Sequence, residues 1–253
     1  MGRRAAVTAC LLGVLAACSP SGTPGQVSAV PDVVVAPQSL PFVAGEGKQL
    51  PPPPVAQPAS AAPMFVSTVT EITPELAARM TSTWRPGCPV PLAELRYVTV
   101  RYIDFEGQVR TGELVVNQDA ADAMVQVFTT LFAERYPIRQ MRLMDDFDGD
   151  VNAGLAADNT SAFNCRTTLL GTIWSEHAYG RAIDVNPLEN PYWHAGSNFV
   201  APTAGRPYVE RPDEPSVIQD GDVVVQAFAA VGWKWGGDWT RTVDWMHFSP
   251  SGK

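Results

Sequence analysis

The sequence predicts an α+β fold: a small, mostly antiparallel sheet with helices flanking it. Three observations lead to that class. Leu95 to Asp104 and Thr111 to Val116 read as two strands joined by a turn at Glu106-Gly107. Gln118 to Tyr136 and Gly221 to Val231 carry apolar residues at helical spacing. Short strand-like stretches at Ala182 to Val185 and Trp245 to Ser249 complete the order. No internal repeat is visible, and hydrophobic residues make up 45% of the 253, enough to build the core of one domain with extensions.

The chain opens with Arg3 and Arg4, followed by the apolar run Ala5 to Ala17. That run is too short to span a bilayer comfortably, and its flanks suit an export signal. It ends Leu15-Ala16-Ala17-Cys18, which resembles a bacterial lipobox, where the cysteine is lipidated and becomes the first residue. Ordinary cleavage near Ala17 without a lipid is the alternative. Either way the expected location is outside the cytoplasm. The fuller expectation is export, with anchoring to the outer face of the cytoplasmic membrane through the lipid on Cys18 alone. Ser19 to Pro63 is rich in Pro, Ala, Val, Gly and Ser and contains Pro51-Pro52-Pro53-Pro54. Such a stretch buries little surface and leans to extended conformations, so it reads as a tether. The expected organisation is therefore signal (1–18), tether (19–63) and folded domain (64–253).

Cys10 leaves with the signal. The remaining pair, Cys88 and Cys165, would meet in an oxidising compartment, which predicts a disulfide rather than two free thiols. Closing so long a loop contributes roughly 4 kcal/mol on chain-entropy grounds.

Within the domain, Thr73-Pro74-Glu75-Leu76 places a cap and a first-turn proline at a helix start. The alternating residues Tyr97, Val98, Val100, Tyr102 and Ile103 predict the first strand of a hairpin. Ala121, Met124, Val125, Val127, Phe128, Leu131 and Phe132 define one helix face, and Pro137 ends that helix. Ile138 to Met144 is a candidate strand, Asp145 to Asp158 an acidic loop, and Asn186 to Pro215 a long ordered loop. Val224, Val225, Phe228 and Val231 are the inward face of the second helix.

The formal net charge is −8 with no basic patch, which argues against a nucleic-acid partner. Chemistry concentrates around two of the three histidines. Ser175-Glu176-His177-Ala178-Tyr179-Gly180-Arg181-Ala182-Ile183-Asp184 is one stretch, and Asp244-Trp245-Met246-His247-Phe248 is the other. A hydrolytic zinc site wants three nitrogen or oxygen ligands and an open position for water, and His177, Asp184 and His247 supply that set. Such an ion lowers the pKa of water from ~15.7 towards ~7. A carboxylate must then move the proton, and Asp244 stands three residues before a ligand.

Together these motifs resemble the D-alanyl-D-alanine carboxypeptidase family of zinc peptidases (M15-type), with its VanY-type and VanX-type members. Gly236-Gly237-Asp238-Trp239 looks like the L-alanyl-D-glutamate endopeptidase branch. The resemblance spans most of Gly87 to Pro250. It implies a DD-peptidase/Hedgehog-like fold with the zinc site on the sheet. It also implies His177, Asp184 and His247 as zinc ligands, Asp244 as catalytic base, and peptidoglycan stem peptides as substrate. Many carboxypeptidase members carry Glu where Asp244 stands, so whether a terminal D-alanine or an internal bond is cut stays open. An upstream arginine is implied for oxyanion or carboxylate binding; Arg142 and Arg166 both qualify, with Arg166 favoured because a disulfide at Cys165 would fix its backbone. Ser175, Asp238 and Trp239 are candidate substrate contacts. Asp238 has a ligand partner or a turn cap as its other reading, and Trp233, Trp235, Trp239 and Trp245 divide between a glycan groove and core packing. His194 reads as an ordinary hydrogen-bonded histidine. Asp145, Asp146, Asp148 and Asp150 lack the closing Glu of a calcium loop and read as a solvated acidic loop. A monomer is expected. The alternative function is a catalytically silent, zinc-containing wall-binding protein, which would have no need of Asp244.

Overall fold

The computed structural model describes residues 63–168 and 171–253. The apolar run, Cys18 and almost all of the proline-rich stretch lie outside the described residues.

Thr73 accepts the backbone N–H of Leu76 and caps helix α1 (Pro74–Arg79), with Pro74 in the first turn. Strands β2 (Leu95–Ile103) and β3 (Val109–Asn117) form the expected hairpin, and β1 (Ser67–Glu71) pairs antiparallel on the outer side of β2. The hairpin turn is tied by Asp104. Its Oδ1 accepts the N–H groups of Glu106 and Gln108, and its Oδ2 pairs with Arg110 Nε at 2.7 Å.

Helix α2 (Ala121–Ala133) buries Met124, Val127, Phe128 and Leu131 against β2 and against helix α4 (Val223–Ala230). Asp222 caps α4 by accepting from Val224 and Val225. Val224 and Phe228 are fully buried, and Val225 and Val231 pack at the core's margin. Phe228 stacks on Phe248 with ring centroids 4.0 Å apart. A second cluster gathers Met80, Leu95, Val115, Leu143 and Phe163 around Cys165. There Cys88 and Cys165 form the disulfide, closing a sequence separation of 77. Reducing it is expected to lower stability by about 4 kcal/mol. A comparison of thermal unfolding with and without reductant tests this, and equal midpoints would refute it.

The expected class holds in its coarse form, with helices mixed among small antiparallel sheets, but one sheet is replaced by four among the described residues. Beside β1-β2-β3 stand β6-β11-β9, formed by Ile183–Asp184, His247–Ser249 and Lys234–Trp235, and β10-β7-β8, formed by Val243–Asp244, Tyr192–His194 and Phe199–Ala201. The fourth is a parallel pair, β4 (Gln140–Met141) with β5 (Asn159–Thr160).

Several expected segments change accordingly. The candidate strand at Ile138 to Met144 contracts to β4, because the Asn159 side-chain amide takes the next pairing position. It accepts from Arg142 N–H and donates to Arg142 C=O, both at 3.0 Å. The acidic loop holds a 3₁₀ turn (Met144–Phe147) and helix α3 (Val151–Ala156), capped by Asp150. Two of its carboxylates are committed to partners, while Asp148 and Asp150 are exposed, as expected of a solvated loop. Asp145 accepts from Ser82 and Thr83, and Asp146 pairs with Arg79 and Arg142. The long loop after Asn186 contains β7, β8 and a 3₁₀ stretch (Thr203–Glu210). The closing strand, expected over Trp245 to Ser249, contracts to β11 (His247–Ser249), and Asp244 stands on β10 in a different sheet.

Candidate metal centre

 

His177, Asp184 and His247 come together although 70 positions of sequence separate the first from the last; what joins them is strand pairing and one tight turn. β6 and β11 run antiparallel with Asp184 directly opposite His247, so the two side chains share a face of the sheet. His177 sits on a 3₁₀ turn (Glu176–Tyr179) whose cap is Ser175, its hydroxyl accepting the His177 N–H at 3.4 Å. Gly180 ends that turn in the left-handed region, φ +66°. A Cβ on Gly180 would stand 2.5 Å from Asn117 N, where β3 passes beneath and Asn117 N–H bonds to the Gly180 carbonyl. Glycine is thus required twice in the first motif, for conformation and for close approach. Gly236 plays the second role in the other motif: a Cβ there would meet Asp244 O at 2.5 Å and His247 Cβ at 3.3 Å.

All three side chains are buried, and one donor atom from each lies within 4.8 Å of the others. Two backbone carbonyls fix which nitrogens face inward. The Ala162 carbonyl lies 2.5 Å from His177 Nδ1 and can only accept, so Nδ1 carries the proton and Nε2 presents a lone pair. The Lys253 carbonyl lies 3.0 Å from His247 Nε2, so Nε2 donates and Nδ1 faces Asp184 Oδ1 at 3.0 Å.

His177 Nε2 is buried and has no hydrogen-bond partner, yet Asp184 Oδ2 is only 3.2 Å away. Two atoms that both offer lone pairs repel at that distance unless a proton or a metal cation lies between them. Two imidazole nitrogens and a carboxylate oxygen are donors that suit a first-row divalent ion. The residues therefore fit a metal.

Without an ion, the same three groups set one another's charge. Burial alone would raise the Asp184 carboxyl, but His177 and His247 outweigh it and hold the group well below the usual carboxylate range. For His247 burial favours the neutral ring, but the Asp184 hydrogen bond and charge overcome it and raise its pKa. Asp244 moves the other way. Burial first, and then the Asp184 charge, push its carboxyl up to about 7, against the pull of His247 and Arg166. Asp244 is half-buried as a residue, but its Oδ1 is closed to solvent and has no hydrogen-bond partner.

The two arginines separate. Arg166 lines a small cleft with His177, Asp184, Asn164 and Ser161, and its buried Nε has no partner. Arg142 lies in a different cleft, paired with Asp146 at 3.0 Å and half-exposed. Trp239 packs against the His247 ring, centroids 5.7 Å apart, and its indole N–H donates to Gly252. Asp238 is exposed. Ser175 is occupied as the cap of the His177 turn. Trp233, Trp235 and Trp245 are buried in the core, and His194 accepts from Ser197 N–H at the edge of β7.

Tyr192 had no place among the expected site residues. It lies opposite Asp244 on β7, and burial first, with a smaller contribution from the Asp244 charge, raises its phenol pKa. Its strand was hidden in a Pro- and Asn-rich stretch that reads as loop. The two carbonyls that orient the histidines carry no side-chain signal at all.

No curated protein and no solved structure matches the chain. Residues 170–250, which carry His177, Asp184, Asp244 and His247 but neither Arg142 nor Arg166, match the family model described as D-alanyl-D-alanine carboxypeptidase.

Proposed function

We propose that the chain is a zinc metallopeptidase that hydrolyses peptidoglycan stem peptides. The observation that carries it is the buried, partnerless His177 Nε2 facing the Asp184 carboxylate inside the segment that matches the peptidase family. His177 Nε2, the Asp184 carboxylate and His247 Nδ1 would hold the zinc. When bound, zinc supplies a Lewis acid that polarises a carbonyl and acidifies water.

The protein's own groups do the rest. Asp244, poised at about 7, accepts a proton from the attacking water and returns it to the departing amine. Arg166, whose buried Nε has no partner and whose Nη1 donates only to the Thr167 carbonyl at 3.4 Å, offers a half-buried guanidinium to the developing oxyanion or to a substrate carboxylate. Arg166→Ala is therefore expected to lower kcat/KM by about 10²–10³-fold. Arg142→Ala should change it by less than about twofold, because its exposed ion pair with Asp146 is worth under about 1 kcal/mol. Kinetics of the two variants side by side decide the assignment, and the reverse ranking sinks it.

In the cell, the same proposal places the domain outside the cytoplasm on a lipid at Cys18, with the proline-rich stretch as its tether. The test is mass spectrometry of purified muropeptides incubated with the protein, with chelator and after zinc is restored. Metal-dependent loss of one alanine identifies a carboxypeptidase, and a metal-dependent split within the stem identifies an endopeptidase. No cleavage by folded, zinc-loaded protein overturns the proposal in favour of a silent binding protein.

A further inference from the structure

His247 faces the metal position through Nδ1 only because its other nitrogen is held elsewhere. The acceptor that holds it is the Lys253 carbonyl, and a short turn sets where that carbonyl stands. Ser249 is fully buried at the end of β11. Its hydroxyl accepts the N–H groups of Gly252 and Lys253, both at 3.1 Å, and donates to the Lys253 carbonyl at 3.0 Å. Gly252 N–H also bonds to the Ser249 carbonyl at 3.2 Å. From the other side, the Trp239 indole N–H donates to the Gly252 carbonyl at 2.9 Å, while its ring packs on His247. Gly252 itself has φ +73°, a conformation that glycine adopts without strain.

We propose that Ser249 and Trp239 are positioning residues for the metal ligand His247: they clasp the turn Ser249–Lys253 so that its last carbonyl accepts from His247 Nε2 and leaves Nδ1 to the metal. The proposal rests on the metallopeptidase function above. Its physical basis is general. A ligand imidazole has two nitrogens, and the partner of one decides whether the other offers a lone pair in the right direction. An unclasped turn would let the ring rotate or take the other tautomer, and the site would lose one of its three donors for part of the time. Trp239 then acts at the site through His247 rather than as a stacking surface for substrate.

The deciding measurement is zinc affinity of the purified full chain, read by competition with a chromophoric chelator, for wild type, Trp239→Phe and Ser249→Ala. Trp239→Phe keeps a ring against His247 and removes only the indole donor. Each variant is expected to bind zinc about 10–100-fold more weakly, the range for loss of a partner behind a ligand. The visible spectrum of the cobalt-loaded protein should change at the same time, while the metal-free melting temperature of Trp239→Phe stays close to wild type. A merely structural role would lower that melting temperature and leave the cobalt spectrum unchanged. Wild-type zinc affinity in Trp239→Phe overturns the proposal alone. A wild-type protein that binds no zinc overturns the metallopeptidase function and this proposal with it.

Discussion

Asp244→Asn is expected to lower kcat/KM by about 10²–10⁴-fold, the span associated with losing a general acid–base group, while bound zinc stays at the wild-type level. The substitution keeps the size and the place of the side chain on β10 and removes only its capacity to take a proton. The wild-type pH profile carries the same information. A base must be ionised to act, so activity rises as pH climbs through the Asp244 pKa. That pKa is raised to about 7 by burial and by the Asp184 charge. A dication held by Asp184 cancels the second of these causes, so the ascending limb of kcat/KM is expected at or below pH 7. Steady-state rates across pH, together with zinc content by atomic absorption, test both statements. A variant that keeps wild-type kcat/KM would remove Asp244 from the chemistry.

His177→Ala is expected to abolish metal binding and reduce cleavage to background. Two donors would remain, Asp184 and His247, and a hydrolytic zinc site ordinarily needs three. The loss should also appear in stability. A ligand present at 1,000 times its Kd stabilises the folded state by about 4.1 kcal/mol. Zinc should therefore raise the melting temperature of the wild type and leave His177→Ala unmoved. The variant itself should fold, because His177 lies on a 3₁₀ turn outside the two apolar clusters that hold the domain together. Thermal unfolding with and without zinc is the check, and a zinc-dependent rise in the variant would contradict the ligand assignment.

The hairpin of β2 and β3, the two long helices and the cap at Thr73 follow from local rules. Period-two and helical spacing, a first-turn proline and a Glu-Gly turn all act over a few neighbouring residues. The disulfide was legible for a different reason, since the two cysteines that remain once an expected export signal is set aside have one another as partner. What local rules missed were the short strands. β4 and β5 each have two residues, and their pairing is completed by the Asn159 side chain, which no periodicity announces. β7 and β8 lie in a stretch of proline and asparagine and owe their form to partners distant in sequence.

The sequence by itself determined the chemistry on offer: two histidines and two aspartates in paired motifs, with glycines wherever the backbone must come close. Only the tertiary structure decided how that chemistry is aimed. It set Asp184 opposite His247, separated Arg166 from Arg142, and placed a backbone carbonyl behind each histidine. Residue types are written in the sequence, but a tautomer, a raised pKa or an unpartnered guanidinium nitrogen depends on which groups stand within a few ångströms. Strand register and burial fix those neighbours, and both are properties of the folded chain as a whole.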